Sequence, residues 1–396
     1  MPPGFIWQNF YNNKLILFSL TSNYSAQVLM NVSKINPQPF YLKLAAILVA
    51  AICIGYLSVI GKDILDPLLF GLLFSILLLP VANFFEIKLK FHRSAASALA
   101  VILLLICIGG ILLVVGTQIS RLSNDLPKLK DQIYASLQSF QEWISDTFHV
   151  NIDKQMDYVN DATTKIESAT PRVIGATVVS LSSVLFFLVF VVLDTFFMLF
   201  YRRRLMKFLI DVFEEENMQA VHDIVERIQF IIRKYLVGLL LEMSTVALVC
   251  CSVFMILGIK YAILLGLITA LFNIVPYIGI FAALVINVII TFATTALASK
   301  VLLVIITVVS MHLIDSNILL PLIVGSKVRI NAFVTLLGVV VGEMLWGISG
   351  MFLSIPVIAV IKIIFDRIES LQPWGQLMGD EKIPAKSFHL KKKTIK

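Results

Sequence analysis

Glu242, Asp315 and Glu343 are carboxylates set inside long apolar runs. On insertion scales a central Asp or Lys costs roughly 2.5–3.5 kcal/mol, so such residues face a bundle interior or a watery cavity and mark ion or proton paths. The chemistry these three offer is cation binding or proton carriage. The competing role is a protonated or hydrogen-bonded packing group. Asp315 is followed by Ser316 and Asn317. His312 precedes it by three residues on about the same helix face, where it can relay a proton or simply pack. Asp194 lies two turns before Arg202 and is expected to pair with, or snorkel toward, the Arg202–Arg204 cluster.

Two interrupted stretches supply backbone rather than charge. Tyr261 to Ala293 carries no charge and contains Asn273, Pro276, Tyr277 and Gly279 near its middle. Ala332 to Phe365 has only Glu343 and Lys362, and contains Gly347, Ser349 and Gly350, followed by Pro356. As straight helices both would reach about 50 Å, well beyond a hydrocarbon core of ~30 Å. Each therefore reads as two half-helices joined by unwound backbone. Free carbonyls there can coordinate a cation, and half-helix N-termini can hold an anionic or hydroxylated group. A plain proline kink with no ligand is the alternative. Opposed tips meeting beside Asp315 and Asn317 would form one midplane site.

The elements that position these residues are apolar helices. Runs long enough to cross a bilayer are Leu42 to Gly61, Ile64 to Phe85, Ala95 to Gln118, Val173 to Phe200, Tyr235 to Gly258 and Val301 to Leu322. The expected fold is an all-α integral membrane bundle of six to eight transmembrane segments, two of them broken or re-entrant. Residues 1–41 form an N-terminal segment without a signal-peptide pattern, and Met30 is a second candidate start, in which case 1–29 carry no function. Three spans occupy 42–118. Residues 119–172 form an extracytoplasmic loop in which Leu126, Leu129, Ile133, Leu137, Phe140 and Ile144 repeat at helical spacing. The transmembrane core spans 173–365, with an amphipathic cytoplasmic segment at 202–232 and broken segments at 261–293 and 332–365. A basic cytoplasmic tail follows at 366–396.

Loop charge orients the bundle. Arg202–Arg204 and the loop with Lys88, Lys90 and Arg93 read as cytoplasmic, while 119–172, with six Lys/Arg against eight Asp/Glu, reads as external. The broken stretches permit two arrangements: hairpins that leave on the side they entered, or full crossings. Lys327 and Arg329 favour hairpins; Lys300 points the other way.

Composition excludes several classes. Of 396 residues, 59% are hydrophobic and 14% charged, with mean hydropathy +0.92; soluble domains carry about a quarter charged residues. The net charge of +7 is spent on cytoplasmic loops, so no nucleic-acid partner is expected. Cys53, Cys107, Cys250 and Cys251 lie in apolar runs without metal-ligand spacing, so neither metal nor cofactor is expected. No G-x-x-x-x-G-K-[ST] element is present. Gly347-Ile-Ser349-Gly350 fits the serine motif of rhomboid proteases, but the only later histidine is His389 in the tail, and a nucleophilic serine needs a base within reach. No enzyme is expected.

Gly258 to Gly266 runs into Leu271-Phe-Asn-Ile-Val-Pro276-Tyr277-Ile-Gly279. Asn317-Ile-Leu-Leu-Pro321-Leu-Ile-Val-Gly325, Gly347-Ile-Ser-Gly350 and Ile355-Pro356 follow. This order and spacing, over Leu42 to about Asp366, resembles the AI-2E family, the autoinducer-2 exporter family. The resemblance implies a homo-oligomeric protein of the bacterial inner membrane with hairpins like those of elevator-type carriers. It also implies export of an autoinducer-2-like molecule, linked to quorum sensing, or sodium–proton antiport. Two positions depart from the family pattern: a proline is replaced around Asn331-Ala332, and Glu343 stands where small residues are usual. The expected function is an alternating-access secondary transporter moving a small solute or exchanging sodium for protons across the lipid bilayer. A passive channel or a membrane scaffold is the competing class.

Overall fold

The computed structural model describes residues 39–148, 183–213, 218–275, 278–295, 297–319 and 330–379, with residues 40, 43 and 126–148 described by backbone alone. The described elements are helical throughout: α1 (Phe40–Ile60), α2 (Lys62–Asn83), α3 (Arg93–Phe148), α4 (Ser183–Asp211), α5 (Met218–Ile256), α6 (Ala262–Phe272), α7 (Ile278–Thr295), α8 (Ala298–Ile314), α9 (Ala332–Trp346), α10 (Ile348–Arg367) and α11 (Gln372–Met378). Helix α1 is a unit by itself, and the chain from Gly61 onward forms a second.

Seven described helices are long and apolar enough to cross a membrane. Their outward surfaces confirm what solvent they are built for. Ile256 and Ile348 are 84% and 76% exposed, among many large apolar residues in the same state. A water-facing helix keeps a polar face; these faces suit lipid. Backbone polarity is closed within each helix, as a bilayer requires. Hydroxyls such as Ser244, Thr245 and Ser252 donate to the carbonyl four residues back.

Helix α3 differs from the sequence expectation. The span and the amphipathic loop segment are one helix of 56 residues, about 84 Å long at 1.5 Å per residue. The stretch expected at 202–232 is the C-terminal end of α4 and the N-terminal end of α5. Helix α5 runs unbroken for 39 residues. The chain leaves helical geometry at Val212–Phe213, just before Glu214–Glu216, which lie outside the described residues.

Within the second unit two ends are defined by polar clusters. At the first, Arg202 donates to Asn83 Oδ1 (2.9 Å) and to Glu86, and Arg203 reaches Glu86 at 3.0 Å. These arginines therefore converge on Glu86 rather than on Asp194. Asp194 instead packs its Cβ against Gly71 of α2, so close that a Cβ added there would fall 2.6 Å away. At the second end, Asp125 accepts from Lys260 (2.7 Å) and Tyr261 (2.5 Å).

Both interrupted stretches take the hairpin form. Lys300 Nζ donates to the Gly258 carbonyl at 3.0 Å, so the chain leaving α7 returns beside its entry into α6. Helix α6, with 11 residues, spans only about 16 Å. A Cβ on Gly279 would lie 1.7 Å from the Phe272 carbonyl oxygen, which is why this tip needs glycine. At the second hairpin, Asn331 donates from its backbone to Met378 O (3.0 Å) and from its side chain to Leu377 O (2.7 Å). Ile330 packs on the cluster of Ile231, Ala359 and Ile363. The start of α9 thus lies beside the end of α10. Its arms touch backbone to backbone at Gly342 and Gly350, where a Cβ on either would fall within 2.3 Å of the other's carbonyl oxygen. Gly347 turns the chain with φ 66° and ψ −138°, a conformation that only glycine adopts without strain.

Candidate functional site: a buried carboxylate pair under a hairpin tip

Helix α5 buries Tyr235, Leu239, Glu242, Val246, Cys250 and Phe254, one stripe at the helical period. Helix α8 buries Val304, Val308 and Met311, and Asp315 continues that stripe. Each carboxylate thus occupies a position that the period reserves for core. Glu242 is 3% and Asp315 6% exposed. Asp315 also opens a π-helical turn, Asp315–Leu319, a widened geometry found often at functional positions.

Asn273, the residue that closes α6 at the first hairpin tip, joins them. Its side-chain NH2 donates to Glu242 Oε1 at 2.9 Å and to Asp315 Oδ2 at 3.0 Å. Both amide hydrogens are thereby used. Among the described residues, Glu242 Oε2 and Asp315 Oδ1 are buried with no hydrogen-bond partner, and neither carboxylate is in an ion pair with Lys, Arg or His. Buried charge is tolerated when paired or neutralised. Two carboxylates sharing one amide are short of positive charge, and a small cation or a proton is what balances them.

The second tip makes a different contact. Ser349, in the first turn of α10, donates to Asp66 Oδ2 at 2.6 Å. Asp66 is 6% exposed, and its Oδ1 is buried without a partner among the described residues. Asp66 was legible as a carboxylate inside the apolar run Ile64 to Phe85, followed by Pro67, but it sits one turn from Lys62 and Asp63 and reads as the edge of a loop. The tips share an apolar floor: Ile274, next to Asn273, and Trp346, next to Gly347, pack on one cluster with Leu239 and Leu353. Their polar groups serve separate carboxylates.

The remaining candidates are dispersed. His312 is half-buried, with Nδ1 unpartnered among the described residues. Asn317 is exposed and bonds back to the Leu313 carbonyl at 2.8 Å. The Glu343 side chain is exposed, and its carbonyl accepts from Gly347. Gly279, Gly347 and Gly350 shape the tips. Pro276 and Tyr277 lie outside the described residues, as do Pro321, Gly325, Lys327 and Arg329. A cavity of about 980 Å³ opens at the first end, lined by Leu72, Ile76, Asn83, Arg202 and Ile232 among others. Neither carboxylate centre lines it.

Comparison with known proteins agrees with this architecture. The model of the AI-2E family transporter matches residues 44–370. A Bacillus subtilis (strain 168) protein named "Putative transport protein YueF" is 27% identical over 271 residues, 65% of this chain and 71% of the relative. The Escherichia coli (strain K12) "Putative transport protein YhhT" is 24% identical over 323 residues, 81% of this chain and 89% of the relative. A second B. subtilis protein, "Putative transport protein YrrI", is 36% identical over a shorter stretch of 129 residues, 33% of this chain and 36% of the relative. A multi-pass helical membrane protein whose family and relatives are transport proteins, this chain belongs to the AI-2E family of transporters.

Proposed function

We propose that this chain is an ion-coupled secondary transporter of a bacterial inner membrane, in which Glu242, Asn273 and Asp315 bind the coupling cation, a proton or sodium. One observation carries the reading: two buried carboxylates without a cationic partner are bridged by the amide of a hairpin tip. Asn273 belongs to the short arm of the first hairpin, whereas Glu242 and Asp315 belong to the long helices α5 and α8. Neutralising the pair changes how strongly the tip is held, so cation occupancy and hairpin position are coupled. That coupling is the requirement for alternating access. The cargo is a small solute of the autoinducer-2 type, or the exchange is of sodium for protons; the AI-2E membership supports both, and it supports a homo-oligomer.

Purified protein in liposomes with imposed sodium and pH gradients tests the reading. A carrier gives saturable flux that depends on a gradient, and Asp315→Asn abolishes that dependence while the protein still inserts and assembles. Flux that needs no counter-ion identifies a channel. Wild-type coupling in Asp315→Asn rejects the carboxylate pair as the coupling site.

A further inference from the structure

The cavity at the first end combines two properties that neither carboxylate centre has: apolar walls and surplus positive charge. Its volume, about 980 Å³, stands at the top of the range for small-molecule sites, about 300–1,000 Å³. Helix α2 lines it with Leu72, Ile76 and Leu79, α5 with Ile228 and Ile232, and α10 with Val360. Lining by both Leu72 and Asn83 means that it follows α2 for about 16 Å at 1.5 Å per residue. Ile76 and Ile232 also belong to the cluster on which Ile274 and Trp346 pack at the two hairpin tips. The inner wall of the cavity and the floor beneath the tips are therefore one apolar layer.

The charge lies at the outer rim. Arg93, Arg202 and Arg203 share a single carboxylate, Glu86: Arg93 Nε lies 3.7 Å from it, Arg203 donates at 3.0 Å, and Arg202 donates to its other oxygen. Three guanidinium charges on one carboxylate leave two without a counter-charge. Arg202 is further tied to Asn83 and to the Leu199 carbonyl, whereas the Arg203 side chain is 68% exposed. Lys207 follows Arg203 by one turn on the same helix face. It is exposed and, among the described residues, in no ion pair. Asp211 is the one acid among the described lining residues.

Lining residues that are also exposed mark the mouth: Leu72, Leu205, Phe208 and Leu209, beside Arg203 and Lys207. The mouth of a vestibule for a hydrated solute is polar. Large apolar side chains beside two cations instead match the boundary between hydrocarbon and headgroups. We propose that this cavity binds one anionic phospholipid, with an acyl chain between α2, α4 and α5 and the phosphate on Arg203 and Lys207. Basic pockets between transmembrane helices on the cytoplasmic side take anionic headgroups, and the arginines of this end carry the cytoplasmic charge signature. The chain passes from hydrocarbon to apolar walls, so its transfer contributes little, and the charge at the mouth sets affinity and selectivity. A polar cargo is disfavoured, because it would lose water against walls that offer few hydrogen bonds. The site is independent of the Glu242–Asp315 pair and stands or falls apart from it.

Native mass spectrometry of the purified full chain in detergent tests the site. Palmitoyl-oleoyl phosphatidylglycerol should bind saturably, one molecule per subunit, at least tenfold more tightly than phosphatidylcholine with the same chains. The double variant Arg203→Gln with Lys207→Gln should erase that preference. Leu72→Trp, which sets a ring into the cavity, should weaken phosphatidylglycerol binding at least tenfold. Dioctanoyl phosphatidylglycerol should bind the wild type at least tenfold more weakly than the long-chain lipid, a test of the acyl site that needs no variant. Arg204→Gln removes an exposed neighbouring cation that does not line the cavity, and should bind as the wild type does. Equal binding of the two long-chain lipids overturns the proposal. So does saturable binding of neither, the outcome when this chain or a second copy fills the cavity. An effect of Arg204→Gln as large as that of the double variant identifies diffuse attraction to a basic surface and overturns the site. Full displacement of the lipid by glycerol phosphate identifies a site for free phosphate and overturns it as well.

Discussion

The Ser349 hydroxyl and the Asp66 carboxylate meet across 2.6 Å and fasten the tip of the second hairpin to α2. Phe70 and Phe352, one turn further along the same two helices, stack with ring centroids 5.3 Å apart. Polar and aromatic contacts therefore hold α2 and α10 in one register. Ser349→Ala removes the donor and leaves the carboxylate buried. Because a hydrogen bond to a charged group is worth about 1.5–3 kcal/mol, a fall in thermal unfolding temperature in detergent is expected. In the background Asp66→Asn the same substitution costs less, and a double-mutant cycle of the two reads the coupling directly.

At the first tip the expected outcome concerns coupling rather than stability. Asn273→Leu removes both amide donors from Glu242 and Asp315. Gradient-dependent flux in liposomes should fall at least tenfold while uptake into the membrane fraction is unchanged. Asn273→Asp places a third carboxylate in the centre and should be worse than Asn273→Leu. If it is milder, the amide is not serving the pair.

The tip geometry makes a steric prediction. Gly279→Ala sets a methyl 1.7 Å from the Phe272 carbonyl oxygen, so the tip cannot close as it stands. Gly347→Ala forces a side chain into a strained conformation, costing about 1–3 kcal/mol. Folded yield in detergent, read by size-exclusion chromatography, should fall severely for the first and moderately for the second.

Sidedness distinguishes hairpins from crossings in the membrane. In a chain whose native cysteines are replaced, Ser299→Cys should label from outside only, and Glu369→Cys from inside only. A full crossing by 261–293 would place Ser299 inside.

The second end carries a weak pH dependence. Its hydrogen bond to Asp125 holds the Lys260 ammonium above its usual lysine value. The folded value exceeds the unfolded one, so the contribution is fully present below the ordinary lysine pKa of about 10.4 and is lost as pH climbs through the folded value. Lys260→Met should lower the melting temperature slightly at neutral pH, and the gap to the wild type should close toward pH 11 and shrink in high salt.

Apolar period and length alone determined that this chain is a bundle of membrane helices, because a bilayer demands about 20 apolar residues per span and leaves no other use for them. They also located the interruptions at Asn273–Gly279 and Gly347–Gly350, since apolar runs of that length exceed the hydrocarbon core and each carries glycine or proline near its middle. The burial of Glu242 and Asp315 was legible in the same way, as each completes an apolar stripe. Asn273 as the bridge and Ser349 on Asp66 were not legible. Each joins helices distant in sequence, and periodicity reports which face is buried without reporting what lies opposite. The hairpin form was undecided in loop charge, where Lys300 opposed Lys327 and Arg329. The tertiary structure decided it through Lys300 on the Gly258 carbonyl and Asn331 on Leu377 and Met378, because only packed coordinates bring the start and end of one stretch to the same end of the bundle.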